Sequence, residues 1–285
     1  MRKTDELLIK ELGIDPRILS AVREAEDQLK EKFDSLDDIT EYNQYKVLSA
    51  LQKNRISDKH FAWYTGYGYN DSGREAIARV FADVFHTEDA IVRPIIVNGT
   101  HALSLTLTGI LRPGDEMIYC TGKPYDTLEQ VIGIKGTPGD GSLADFGVIY
   151  KQVELLPDGG IDYGGLKAAI TEKTKMVCMQ RATGYGWRRS MTVEEMGECC
   201  KFVKGIREEI ICMADNCYGE FLDFIEPTDV GVDVIAGSLI KNPGGGLALT
   251  GGYIAGREDL IRLVSYRLTT VGIGKECGLT LGQTR

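Results

Sequence analysis

From Ala90 onward the chain alternates short apolar runs with amphipathic stretches, and no other feature restricts its fold as tightly. Residues 91–97, 116–120, 148–155, 176–180, 210–214, 232–235 and 253–255 are rich in Ile, Val, Met, Cys and Tyr and too short for helices. Residues 100–111, 125–133, 163–170, 192–207 and 258–268 carry apolar side chains at helical spacing, the fourth behind a Thr192-x-x-Glu195 capping box. An unbroken apolar run such as Ile-Ile-Cys-Met-Ala belongs to a strand covered on both faces. Strands separated by helices predict an α/β fold, a mainly parallel seven-stranded sheet sandwiched by helices. Pro94 assigns the first strand to an edge or a bulge. Ligands on such sheets bind beyond the carboxyl ends of the strands, so the residue closing each run is the place to look for chemistry.

The first 70 residues lack strand signals and read as a helical arm ending in an aromatic loop. Asp15-Pro16 places a cap and a first-turn proline before Ile18, Leu19, Val22 and Leu29. Thr40 is expected to open a second helix carrying Tyr45, Leu48 and Leu51. Trp63-Tyr-Thr-Gly-Tyr-Gly-Tyr-Asn-Asp71 is too irregular for a regular element and reads as an interface or a ligand wall. Ser72-x-x-Glu75 reads as a capping box in front of the stripe Ile77, Val80, Phe81, Val84 and Phe85. The chain thus divides into an arm over residues 1–70, a large domain over 71–268, and a connecting segment over 269–285.

Charge and composition exclude several classes of function. With 33 basic against 42 acidic residues the net charge is −9, and no basic cluster breaks the balance, which argues against nucleic acid or an anionic membrane as the main partner. No apolar run approaches the ~18 residues that span a bilayer, and residues 1–10 lack the form of a signal peptide, so a cytoplasmic location is expected. The seven cysteines contain no Cys-x-x-Cys and read as buried, reduced thiols. His60, His86 and His101 are scattered, and no metal site is expected.

Four strand ends carry candidate chemistry. Lys241 follows the run at 232–235 and precedes Asn-Pro-Gly-Gly-Gly, a sequence that continues neither strand nor helix. A lysine partly desolvated at such a junction is available as a nucleophile, and with Ser238 three residues earlier it reads as the lysine that carries pyridoxal phosphate; a surface lysine in a glycine-rich turn is the commoner explanation of Ser-x-x-Lys taken alone. Asn98-Gly-Thr-His-Ala102 lies where a strand hands over to a helix, as a phosphate cradle or a plain helix cap. Asp215 closes its run, and a buried carboxylate there needs a cationic partner such as a pyridinium nitrogen, unless it is a salt-bridged or capping aspartate. Tyr125, beyond a strand end, is placed to stack on a flat ring or to pack on the core. Gln180-Arg-Ala-Thr-Gly-Tyr-Gly-Trp-Arg-Arg189 could bond a cofactor oxygen, hold a substrate carboxylate in an arginine fork, or be a solvated loop.

The order of these pieces, ending in Ser-x-x-Lys 26 residues after Asp215 (241 minus 215), resembles the fold-type I pyridoxal-phosphate enzymes. A closer resemblance is to the bacterial aluminium-resistance or methionine γ-lyase-like family, related to the cystathionine lyases. It is carried by Tyr-Gly-Tyr-Asn-Asp-Ser-Gly-Arg74, Asn-Gly-Thr-His-Ala102, Asp-Asn-Cys-Tyr-Gly-Glu220 and Ser-Leu-Ile-Lys-Asn-Pro-Gly-Gly (238–245), and runs from about Asp15 to the last residue. The resemblance implies Lys241 as the Schiff-base lysine, Asp215 on the pyridine nitrogen, Tyr125 over the ring, and Gly99, Thr100 and Ser238 at the phosphate. Its motifs add His101, Gln180 and Cys217 to the cofactor-binding set. Tyr67, Tyr69 and Arg181 then face the substrate or a neighbouring subunit, in a homodimer or homotetramer. The implied reaction is carbon–sulfur cleavage of a cystathionine- or methionine-like amino acid by β- or γ-elimination. An aminotransferase, an aldolase, or an inactive cofactor-binding fragment with an interaction role are the alternatives. Relatives continue past Arg285 into a small carboxyl-terminal domain, so the resemblance also implies that this chain lacks that domain.

Overall fold

The structure is a computed structural model that describes residues 2–278. It separates into two units, Met1–Tyr45 and Lys46–Arg285. The expected connecting segment at 269–285 therefore lies partly outside the described residues.

The first unit holds α1 (Lys3–Lys10), α2 (Pro16–Gln28) and the larger part of α3 (Lys30–Lys53). Asp15 caps α2 by accepting from the Arg17 amide. Asp5 of α1 pairs with Arg23 of α2 at 2.7 Å. The expected helix start at Thr40 does not occur, because α3 runs through it. The Thr40 hydroxyl donates to the Leu36 carbonyl one turn back, which satisfies it inside the helix and leaves it no capping role.

In the second unit α4 (Ser72–Val84) is followed by β1 (Asp89–Arg93), α5 (Gly99–Ile110), β2 (Glu116–Tyr119), α6 (Asp126–Ile132) and β3 (Ile149–Gln152). Then come α7 (Tyr163–Ala169), β4 (Thr174–Gln180), α8 (Val193–Ile206), β5 (Ile211–Asp215), β6 (Val234–Ser238), β7 (Gly252–Gly256) and α9 (Glu258–Leu268). The cap of α4 is Asp71, which accepts from the Arg74 amide at 3.0 Å, so the helix starts one residue after it and not behind a Ser72 cap. The box at Thr192 and Glu195 does form and opens α8.

The strands make one seven-stranded sheet in the order β1-β7-β6-β5-β4-β2-β3. Six run in one direction and β7 alone runs against its two neighbours. β1 is an edge strand, and Pro94 stands just past its end, where no ladder bond is lost. Alternate residues feed two cores. Ile91, Met117, Met176, Ile211, Val234 and Ile254 pack with α5, α6 and α9 on one face. Val92, Ile118, Val177, Cys212, Ile235 and Ala255 pack with α4, α7 and α8 on the other. Burial on both faces is why these strands read as continuous apolar runs, each large side chain contributing about 1.5–3 kcal/mol. Six of the described cysteines are free and buried, five of them as small apolar members of these cores.

β6 runs to Ser238, beyond the apolar stretch from which it was read. Gly237 is the reason: a Cβ there would lie 2.5 Å from the Tyr253 ring, so the strand needs glycine where β7 packs against it. Two adjacent parallel strands end level, β4 at Gln180 and β5 at Asp215, and β6 beside them runs two residues further, from Ala236 opposite Asp215 to Ser238. Among the described residues no helix is long and apolar enough to cross a membrane.

Candidate active site

Those strand ends form the floor of a cavity of about 760 Å³, with the start of α5 on one side and the loops after β4 and β6 on the others. Gly99, Thr100, Tyr125, Gln180, Arg181, Asp215, Cys217, Ser238 and Lys241 all line it. The local structure explains why each points inward.

Lys241 follows the end of β6 by three residues and starts a single 3-10 turn over Asn242–Gly244 in which Pro243 stops any continuation of the strand. Its side chain is half-buried and its Nζ lies 4.2 Å from the centroid of the Tyr218 ring. Tyr218 is held at φ 66°, a left-handed conformation that a tyrosine adopts only under constraint from its surroundings. In the sequence Tyr218 stands inside the Asp-Asn-Cys-Tyr-Gly-Glu220 stretch, but nothing there gives it a role of its own.

Asp215 is buried and forms no ion pair among the described residues; Oδ1 accepts from the Cys217 amide at 3.1 Å. Burial raises its pKa, opposed by the hydrogen bonds from Cys217 and the charge of Lys241. The Cys217 thiol is pushed up in turn by its own burial and by the Asp215 charge. A buried carboxylate in no ion pair among the described residues, at the floor of an open cavity and with Lys241 as the cation acting on it from a distance, fits a ligand that brings a protonated nitrogen.

Gly99 is the first residue of α5, whose cap Asn98 accepts from the His101 amide at 2.9 Å. A Cβ on Gly99 would stand 2.8 Å from Cys217 Sγ and 3.9 Å from Lys241 Nζ, so glycine lets the helix start approach the lysine. The first amides of a helix have no partner within it and favour an anion. Thr100 adds a hydroxyl, bonded at 2.6 Å to that of Thr127 on α6, a cavity residue that sequence reasoning missed for want of any motif. Ser238 is buried and accepts from the Ile240 amide at 3.3 Å.

Tyr125 caps the start of α6 and stacks on Tyr185, ring centroids 5.5 Å apart and hydroxyls 3.1 Å apart. That hydrogen bond, with burial, pushes the Tyr125 phenol up to about 12. Gln180 donates through Nε2 to the Ala182 carbonyl, while its buried Oε1 meets no donor and stands ready for a ligand.

Other sequence-predicted residues have different places. Arg181 lines the cavity, but its buried guanidinium is committed inside the chain to Asn216 Oδ1, the Gly219 carbonyl, Asp223 at 3.4 Å and Glu226 at 3.9 Å. It is therefore not free to fork onto a substrate carboxylate. Arg188 donates to the carbonyls of Gln180 and Ala182, and Arg189 pairs with Glu195. His101 does not line the cavity; its Nδ1 turns back to accept from the Val97 amide at 3.2 Å, and burial lowers its pKa. Tyr67 and Tyr69 lie outside the cavity with exposed rings.

Comparison with known proteins agrees with this geometry. Residues 18–285 match the profile of the methionine gamma-lyase family. The chain is 51% identical over 246 residues to the uncharacterized protein YnbB of Bacillus subtilis, covering 86% of this chain and 58% of that one. It therefore spans little more than half the length of that relative. A carbon–sulfur lyase involved in aluminum resistance from Clostridium novyi NT superposes with a TM-score of 0.94 at 49% identity, over 100% of this chain and 68% of that one. The fold is also that of the pyridoxal-5'-phosphate-dependent protein YhfS of Escherichia coli, with a TM-score of 0.61 at 15% identity, over 86% of this chain and 62% of that one. On this match over nearly its whole length, the chain belongs to the methionine gamma-lyase family.

Proposed function

We propose that the cavity holds pyridoxal phosphate on Lys241 and serves a carbon–sulfur lyase for a sulfur amino acid. The observation that carries the reading is Asp215, buried and in no ion pair among the described residues, facing the same cavity as the Lys241 amine. Asp215 would hold a proton on the ring nitrogen, the start of α5 with Thr100 and Ser238 would take the phosphate, and Tyr125 would stack on the ring. Gln180 would offer its open hydrogen-bonding position to a ring substituent. When bound, the cofactor supplies an electron sink that stabilises negative charge at the substrate α-carbon.

The chain's own residues supply the rest. Once the substrate amine has displaced it from the cofactor, Lys241 Nζ would be free to take the proton from the substrate α-carbon and later to return one to the product. Tyr218, under Nζ, keeps that amine over the cavity floor. Burial of Asp215 at the sheet end keeps water from competing for its proton. Breaking the carbon–sulfur bond then releases a thiol and leaves an unsaturated amine, which takes up one water to give a keto acid and ammonia. In a homodimer or homotetramer, Tyr67 and Tyr69 would serve the neighbouring site.

The test is to load the protein with pyridoxal phosphate, add L-cystathionine or L-methionine, and measure thiol and keto acid together. Equal release of both is expected. Keto acid without thiol would replace the lyase by an aminotransferase, and no product from either amino acid would overturn the reading for these substrates.

A further inference from the structure

Beneath the cavity floor lies a second buried carboxyl group that the reaction above does not use. Glu220 is fully buried; its Oε1 accepts from the Tyr253 hydroxyl at 2.8 Å, and its Oε2 meets no donor. It forms no ion pair among the described residues. Glu226, in the same loop and equally buried, differs in having Lys46 at 3.4 Å and Arg181 at 3.9 Å. Both have an Oε2 without a hydrogen-bond partner, but only Glu226 has cations facing it.

The surroundings of Glu220 are rigid and lead to the site. Tyr253 is fully buried on β7, stacked on Phe85 with centroids 5.3 Å apart, and tilted against Phe81. Its hydroxyl also accepts from Asn216 Nδ2 at 3.4 Å, and Asn216 is the residue after Asp215. Room for the carboxyl is made by Gly237, where a Cβ would lie 2.5 Å from Glu220 Oε1. The titratable and charged groups around it are Tyr253 from β7, Asp215 and Cys217 at the end of β5, Glu226 in the loop beyond, Arg181 after β4 and Lys46 on α3. The only two cations among these both turn to Glu226. An ionised Glu220 would keep one charged oxygen unbonded in a dry interior with carboxylates as its charged neighbours, whereas the neutral acid leaves only an uncharged oxygen unbonded and so lowers the cost.

We propose that Glu220 is a positioning residue held as the neutral acid, which fixes the Asp215 end of β5 through Tyr253 and Asn216, and whose ionisation sets the alkaline limit for cofactor retention. Burial, opposed by the Tyr253 hydrogen bond and reinforced by the Glu226 and Asp215 charges, pushes its pKa up to about 8. The retention part rests on the cofactor reading above; the protonation state does not. Between the ordinary carboxyl range and about 8 the folded chain keeps this proton and the unfolded chain has lost it. Stability from this group is therefore present at low pH and lost as pH rises through that window.

The experiment compares thermal unfolding of the wild type and Glu220→Gln from about pH 5 to about pH 9.5, a range that brackets the window. The wild type is expected to lose stability relative to Glu220→Gln as pH rises through the window, so the gap between the two curves changes across it. Parallel curves would overturn the neutral acid. Tyr253→Phe, which removes the donor that favours the anion, should move the alkaline midpoint of the wild-type sequence upward; an unmoved or lowered midpoint would also overturn it. Equilibrium dialysis with pyridoxal phosphate gives the second readout. Wild-type affinity should fall above the midpoint, by at most about tenfold per pH unit, while that of Glu220→Gln should not. The same pH profile in both would refute the positioning role. Absence of binding by both at every pH would overturn the cofactor reading and the positioning role with it, while the unfolding curves still decide the proton on Glu220.

Discussion

Replacing Asp215 by asparagine should stabilise the protein without cofactor and weaken its hold on the cofactor. The carboxylate is buried, receives the Cys217 amide at 3.1 Å, and has no ion-pair partner among the described residues. An unsatisfied buried polar group costs about 1–3 kcal/mol and a charged one more, while a hydrogen bond to a charged group returns about 1.5–3 kcal/mol. Because the bonds from Cys217 offset only part of the desolvation, a residual cost of about 1–2 kcal/mol is a fair magnitude. For a unit of this size each kcal/mol moves the melting temperature by about 2–4 °C, so Asp215→Asn should melt about 2–8 °C higher without cofactor. The sign can be checked through pH. Burial raises the Asp215 pKa, so the penalty is absent below the ordinary carboxylate range and grows as pH rises through the shifted value. The gain from asparagine should therefore be largest at neutral pH and vanish in acid. Differential scanning calorimetry with and without pyridoxal phosphate reads both effects. A variant that melts lower without cofactor at neutral pH, or that gains as much from added cofactor as the wild type does, would refute the argument.

Gly99→Ala drives a Cβ to 2.8 Å from Cys217 Sγ; overpacking of about 1–3 kcal/mol should exceed the ~1 kcal/mol that alanine gains in a helix, and Cys217→Ala should rescue it in a double-mutant cycle. Additive effects would show that the close approach is relaxed without cost. Tyr218→Asn should raise stability by about 1 kcal/mol by relieving the left-handed φ while lowering affinity for pyridoxal phosphate; an unchanged affinity would remove Tyr218 from the site. Arg181→Met, which strips a buried guanidinium from Glu226 and its carbonyl partners, should cost about 3–5 kcal/mol in urea unfolding. Wild-type stability with only a raised KM for amino acids would restore Arg181 as a substrate clamp.

The sheet was legible because its strands are buried on both faces, so β4 and β5 show as Met-Val-Cys-Met and Ile-Ile-Cys-Met-Ala with a polar residue at the end of each. Gln180, Asp215 and Lys241 could be singled out for the same reason: a polar group that closes an apolar run must face something other than core. What stayed hidden depends on contacts distant in sequence. Arg181 looked available until the fold brought Glu226 and the Gly219 carbonyl against it. The cap of α4 was placed one residue late because Asp71 and Ser72 are both good caps, and only the backbone decides between them. Thr40 was read as a start because a threonine bonded back into its own helix looks like a capping threonine in sequence. The left-handed Tyr218 has no sequence signature, since a tyrosine has no preference of its own for that conformation.

Lys241 is the residue on which cofactor attachment depends. Protein incubated with pyridoxal phosphate, reduced with borohydride, digested and mapped by mass spectrometry should carry a pyridoxyl group on the peptide that holds Lys241. A label on Lys275 or any other lysine in its place, or none with the cofactor in excess, would contradict it.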